Sequence, residues 1–162
     1  MLNGTEERRF SPDLSITREE FTKLVVSALL DTSDTYTNEF IEDPTGAWYE
    51  PYIAAGEFYG LSFGYYQWPY ALNQPITREE MATVVYRAAR RANVNLPDIK
   101  YSTDFDDMSQ ISYYAVEPIN ELQKANIISG VGNNMFDPKG ETKRADAALL
   151  VYKLYRLSRD AS

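Results

Sequence analysis

Three arginines stand at matching places in this chain, Arg18, Arg78 and Arg144, and each is followed closely by acids. The first two lie in identical strings, Ile16-Thr17-Arg18-Glu19-Glu20 and Ile76-Thr77-Arg78-Glu79-Glu80, and the third in Thr142-Lys143-Arg144-Ala145-Asp146. A guanidinium offers a planar, bidentate fork that suits a carboxylate. An arginine opening a helix faces the positive end of the macrodipole, at a cost of up to about 1 kcal/mol. Two readings explain its repeated presence there. In one, guanidinium and free helix N–H groups together bind an anion. In the other, each arginine pairs with an acid of its own or the next repeat and holds the repeats together.

The acids themselves are poorly placed for catalysis. Glu19/Glu20, Glu79/Glu80 and Asp106/Asp107 are adjacent residues, which point about 100° apart on a helix and do not face each other. Capping explains the glutamates better, since Thr17 and Thr77 precede Glu20 and Glu80 by the three residues of a capping box. Asp104, Asp106 and Asp107 lie close in sequence, but their spacing is not that of an EF-hand loop. The chain has no cysteine and no histidine, which excludes thiol nucleophiles, disulfides and Cys- or His-based metal sites. The usual base of hydrolytic triads is missing too. These features predict a protein that is not an enzyme, with no metal and no cofactor.

Composition narrows the class further. The chain has 162 residues, 44% of them apolar, enough for a buried core. No run approaches the roughly 20 apolar residues of a membrane span. A net charge of −8 repels phosphate backbones, so nucleic acid is not an expected partner. Residues 1–9 lack the apolar stretch of a signal peptide. The expectation is either a cytosolic protein or a fragment of a longer exported precursor.

The elements that must position the arginines come from an internal repeat. A shift of 66 residues places Trp48 on Tyr114, Ile53 on Ile119, Gly64 on Gly130, Tyr86 on Tyr152 and Arg90 on Arg156 without a gap. A shift of 126 places Gly4 on Gly130, Phe10 on Phe136 and Pro12 on Pro138. The repeats therefore cover residues 1–32, 39–92 and 104–158, and the first lacks its front part. Each full unit reads as helix, loop, helix. In the third, helices are predicted over about 113–125 and 144–157 around a turn-rich loop at 129–134. Residues 31–38 and 93–103 read as connectors. Helix pairs cannot bury their apolar faces alone, so the predicted fold is a single all-α domain of three tandem helix-loop-helix motifs packed about a pseudo-threefold axis.

Phe10, Pro12, Ile16, Thr17, Arg18 and Glu20 form a segment that resembles the hallmark of S-layer homology motifs. The stretch from Tyr114 through Ile119, Leu122, Asn126, Ile127 and Ile128 to Gly130 is similar to the upstream half of the same motif. The resemblance covers nearly the whole chain. It implies an extracellular module, at the bacterial cell wall or S-layer, whose inter-motif grooves bind secondary cell-wall polysaccharide. The implied ligand is an anionic, N-acetylmannosamine-type sugar, often carrying a pyruvate ketal. It further implies that Arg18, Arg78 and Arg144 contact that sugar and that Trp48 and Tyr114 line grooves. Gly60 and Leu61 match a Gly-Ile pair whose backbone approaches the ligand, with Asn126 and Ile127 as the third-unit counterpart. On this basis the best-preserved groove is expected to join Gly60, Leu61, Tyr114 and Arg144. The residues Tyr65, Tyr66, Trp68 and Tyr70 suggest a sugar platform, a partner contact or a satellite cluster. An alternative function is a protein-interaction or self-assembly module without its own sugar, with self-association through the incomplete first motif.

Overall fold

The computed structural model describes residues 10–30, 46–61 and 72–160. Among the described residues, five α-helices follow one another: α1 (Arg18–Leu29), α2 (Glu50–Phe58), α3 (Arg78–Arg91), α4 (Tyr113–Lys124) and α5 (Arg144–Asp160). The all-α expectation holds, with bounds close to those predicted for the third unit; α5 runs three residues further. A short 3₁₀ turn at Met108–Gln110 precedes α4. Residues 93–103 form a connector without helix, as expected, whereas residues 31–38 lie outside the described residues, as do Tyr65, Tyr66, Trp68 and Tyr70.

Local chemistry sets the starts of the arginine-bearing helices. Thr77 and Glu80 make both halves of a capping box: the Glu80 N–H donates to the Thr77 hydroxyl at 3.4 Å, and the Thr77 N–H donates to the Glu80 carboxylate at 2.9 Å. In the first repeat the Glu20 carboxylate reaches back to the Thr17 N–H at 3.1 Å. The carboxylates thus place negative charge where the helix dipole favours it.

The segments leading into these helices interlock. The Ile76 N–H donates to the Ile16 carbonyl at 3.0 Å, Thr142 N–H to Ile76 at 3.0 Å, and Ile16 N–H to Thr142 at 2.9 Å. Three equivalent residues therefore close a ring of hydrogen bonds, one step per repeat. A second set runs the opposite way round: Arg18 N–H to Gln74, Arg78 N–H to Gly140 and Arg144 N–H to Leu14, at 2.9–3.1 Å. These bonds satisfy backbone donors that a helix start otherwise leaves orphaned.

The apolar faces of α1, α3 and α5 meet beneath this ring. Ile16, Ile76, Phe21, Val25, Val85, Leu150 and Leu154 belong to one buried cluster shared by all three repeats. The upstream helices pack outside it, α2 against α1 and α4 against α3. Each therefore covers the arginine-bearing helix of the preceding repeat. Glycine or asparagine ends both: Gly60 and Asn126 sit at positive φ, +67° and +55°. The next N–H, of Leu61 or Ile127, returns to the carbonyl five residues back, at 2.8 and 2.9 Å.

Candidate functional site

The three arginines begin from equivalent positions and end in different surroundings. Arg18 donates through Nη2 to both carboxylate oxygens of Glu80, at 2.8 and 2.7 Å. Arg144 donates through Nη1 to Glu20 at 2.7 Å and through Nε to the Phe10 carbonyl at 3.1 Å. Its side chain is only 1% exposed and lies over the Phe10 ring. In both cases an arginine of one repeat grips a glutamate of the next in the cyclic order. The ion-pair reading of the repeated arginine is the one these two positions follow.

Arg78 differs because its counterpart acid is shorter. Asp146 stands in the repeat register where Glu20 and Glu80 stand, with one methylene fewer. Arg78 donates instead to two carbonyls of the third repeat, Nε to Phe136 at 2.8 Å and Nη2 to Ser129 at 2.9 Å. Its guanidinium lies 4.9 Å from the centre of the Phe136 ring. Burial lowers the guanidinium's pKa, opposed by the charges of Asp146, Asp137 and Asp107, in that order. The group nonetheless opens onto a cavity of about 350 Å³ whose wall includes Ser129, Gly130, Val131, Asp146 and Lys153. Lys153 enters the same space with Nζ donating to the Ile127 carbonyl at 3.2 Å. Two cations and several backbone groups therefore converge on one open groove between the second and third repeats.

Gly130 gives the groove its floor. A Cβ built at this position would lie 2.5 Å from the Met135 carbonyl oxygen and 2.9 Å from the Phe105 ring. The loop doubles back tightly here, with the Val131 N–H donating to Met135 at 2.8 Å. Asp107, 2% exposed, pins the far side by accepting from the N–H groups of Phe136 and Asp137 at 2.9 and 2.7 Å. Asp106 accepts from Asn134 at 2.7 Å. These aspartates are thus occupied in shaping the loop, and among the described residues no three acids cluster as metal ligands would.

The residues expected to share one groove make different contacts. Arg144 faces the first repeat through Phe10 and Glu20, while Tyr114 donates its hydroxyl to Glu79 at 3.2 Å. Glu79, 4% exposed, also accepts from Ser112 N–H and Oγ, at 2.9 and 2.8 Å, and pairs with Lys139. Burial first, then the charges of Glu79 and Glu80, push the Tyr114 hydroxyl up to about 12. Tyr114 therefore seams α4 to α3. The structure joins an arginine to the loop of the following repeat, so the groove formed is that of Arg78 with residues 127–131. In the same register Gly60 and Leu61 belong with Arg18, whose fork is held by Glu80. Leu61 is buried in the core, and the N–H groups of Gly60 and Leu61 are taken up in the helix stop. Helix N-termini likewise offer less than expected: the N–H groups of Arg18, Arg78 and Arg144 are each bonded to a neighbouring repeat.

Trp48 is 53% exposed, with the Lys23 ammonium 5.2 Å from its ring centre and Tyr49 packed edge-on at 5.5 Å. It sits over α1 as Tyr114 sits over α3. Asp146 and Lys153 were not legible as groove residues from residue type alone. Asp146 had one signal, its shortness at a position otherwise held by glutamate; Lys153 had none.

The sequence model of the S-layer homology domain matches residues 2–22 and 104–148, within the first and third repeats. Those two segments therefore match the pattern of S-layer homology motifs. It is 32% identical, over 98% of its length, to an amylopullulanase of Thermoanaerobacterium thermosulfurigenes, and covers 8% of that protein. It is 31% identical over 98% of its length to exoglucanase XynX of Acetivibrio thermocellus, covering 14%. To an S-layer protein of Bacillus thuringiensis subsp. finitimus it is 27% identical over 94% of its length, covering 18%. The chain thus spans less than a fifth of each of these relatives. Enzymes and a surface-layer protein share this segment while the remainder of each lies elsewhere. A relative described as a cell surface protein, from Thermoanaerobacter kivui, matches about half of the chain. No helix among the described residues is long and apolar enough to cross a membrane.

Proposed function

We propose that this chain is a non-catalytic module that anchors a surface protein to the bacterial cell wall by binding an anionic wall polysaccharide in the Arg78 groove. The observation that carries this reading is the contrast between equivalent arginines. Glutamates close on Arg18 and Arg144, whereas Arg78 meets the shorter Asp146 and lines an open cavity with Lys153. In a chain of net charge −8, a paired cationic groove supplies local selectivity for a carboxylate-bearing sugar. A pyruvate ketal of the kind implied by the motif resemblance fits that chemistry. The relatives support the anchoring role, because the same segment accompanies different enzymes and a surface-layer protein. The repeated acids support the non-catalytic reading, since Glu20, Glu79 and Glu80 are each engaged in caps or ion pairs.

The test is co-sedimentation with purified cell-wall sacculi before and after removal of the secondary polysaccharide. Binding is expected to require the polysaccharide and to fall when Arg78→Ala is introduced. Binding that persists after removal of the polysaccharide would replace this reading with a protein-partner or self-assembly module.

A further inference from the structure

Glu57 stands in the last turn of α2, at the negative end of the helix dipole, and that turn carries no basic side chain. One of its carboxyl oxygens, Oε1, is buried and has no hydrogen-bond partner among the described residues. An ionised carboxylate offers acceptors only, and a buried one that meets no donor bears the full desolvation penalty.

The third repeat shows which side-chain chemistry this position accommodates. The register that places Trp48 on Tyr114 places Glu57 on Gln123. Gln123, 4% exposed, accepts from the Thr103 N–H at 3.0 Å and donates its amide to the Thr103 hydroxyl at 3.0 Å. The position therefore takes a neutral side chain that both donates and accepts. A protonated carboxyl is the form of glutamate with that pair of functions; the carboxylate lacks the donor.

Neighbouring charges do not stand in for the proton. α1 is the helix packed on α2, and its ionised groups are engaged elsewhere. Arg18 is tied to Glu80, Glu19 accepts from the Asn73 N–H, and Glu20 serves Thr17 and Arg144. Lys23 lies 5.2 and 5.4 Å from the ring centres of Trp48 and Tyr52. On α2 itself, Glu50 accepts from the Gly46 N–H. Arg91, from the end of α3, reaches the end of α2 but donates to the Tyr59 carbonyl at 2.8 Å. Burial raises the Glu57 pKa above the ordinary glutamate value.

From the buried oxygen, the helix end and the glutamine in the equivalent place, we propose that Glu57 is a proton-binding position that fastens the α1–α2 pair more tightly in mild acid than at neutral pH. A proton favoured by the fold stabilises fully below the unfolded value of about 4.3, and its contribution fades as pH rises through the higher folded value.

Reciprocal substitutions in the whole chain test this. Glu57→Gln supplies the donor at every pH. Its urea midpoint is expected to match that of the parent at about pH 4 and to exceed it at about pH 7. Gln123→Glu is expected to do the reverse, with a midpoint lowered at about pH 7 that recovers towards the parent's at about pH 4. Titration of the Glu57 carboxyl carbon by NMR is expected to give a midpoint above about 4.3. A titration midpoint at or below that value overturns the proposal. So does a Glu57→Gln chain that is less stable than the parent at about pH 7, or shifted equally at both pH values. No polysaccharide enters these readouts, so their failure is distinct from a failure of wall binding.

Discussion

Asp146 shares a groove with Arg78 but stops one methylene short of the place from which Glu80 grips Arg18 at 2.7 Å. That small difference between equivalent acids decides which arginine faces open space. It leads to a pair of opposite substitutions. Arg78→Ala is expected to weaken polysaccharide binding by about 1.5–3 kcal/mol, the scale of a charged hydrogen bond, with the circular dichroism spectrum unchanged. Titration calorimetry against purified wall polysaccharide measures it; unaltered affinity would remove Arg78 from the site.

Asp146→Glu restores the length found in the other repeats. The longer side chain is expected to take up the Arg78 fork as Glu80 does for Arg18. Polysaccharide affinity should fall while thermal stability holds or rises slightly. Equal affinity in Asp146→Glu would show that the guanidinium's availability does not govern binding.

Arg144→Ala is expected to act on folding before it acts on binding. Its guanidinium is 1% exposed and tied to Glu20 and the Phe10 carbonyl. Removing one partner of such a pair strands the other, at a cost of about 3 kcal/mol. Urea denaturation checks this, and a midpoint equal to that of the parent would contradict the structural role given to Arg144.

Thr142 occupies the ring position held by Ile16 and Ile76 elsewhere, is 1% exposed, and its hydroxyl has no hydrogen-bond partner among the described residues. Thr142→Val removes that desolvated hydroxyl at nearly constant shape. Stability is expected to increase by about 1 kcal/mol, measured by the same denaturation series.

Tyr114 gives a pH signature. Its hydroxyl is held neutral up to about 12 by burial and by the nearby Glu79 and Glu80 carboxylates, against about 10 when unfolded. The folded state retains the proton longer, so this contribution is intact below pH 10 and is lost as pH rises from 10 towards 12. Tyr114→Phe is expected to flatten that part of the stability profile. A parallel decline in both proteins would deny Tyr114 the role.

Much of the fold was readable because its repeats keep their spacing. The gapless alignment of Trp48 with Tyr114 and of Tyr86 with Tyr152 located the helices, and Thr77 with Glu80 marked a start that the structure keeps. The grouping of the site was less accessible. Sequence register tells which residues are equivalent, but not whether an arginine turns to its own repeat, the one before or the one after. Here it turns to the one after, because the strand-like leads pair around a ring and carry each side chain over the next loop. Gly60 resembled a ligand-facing position; its left-handed backbone and the following buried Leu61 give it the simpler duty of stopping a helix. Lys153 sits among apolar neighbours on α5, and only packing shows that it ends beside Arg78 in one groove.

The closed circuit of Ile16, Ile76 and Thr142 also has a mechanical meaning. A linear stack of repeats can be peeled from one end, one interface at a time. In this chain the first seam is fastened directly to the last, so no repeat is terminal and tension at either end bears on all three seams together. Synthesis feels the same closure: Ile16 receives its carbonyl from Thr142 only after the third repeat has left the ribosome, and until then the first two remain an unfastened clasp.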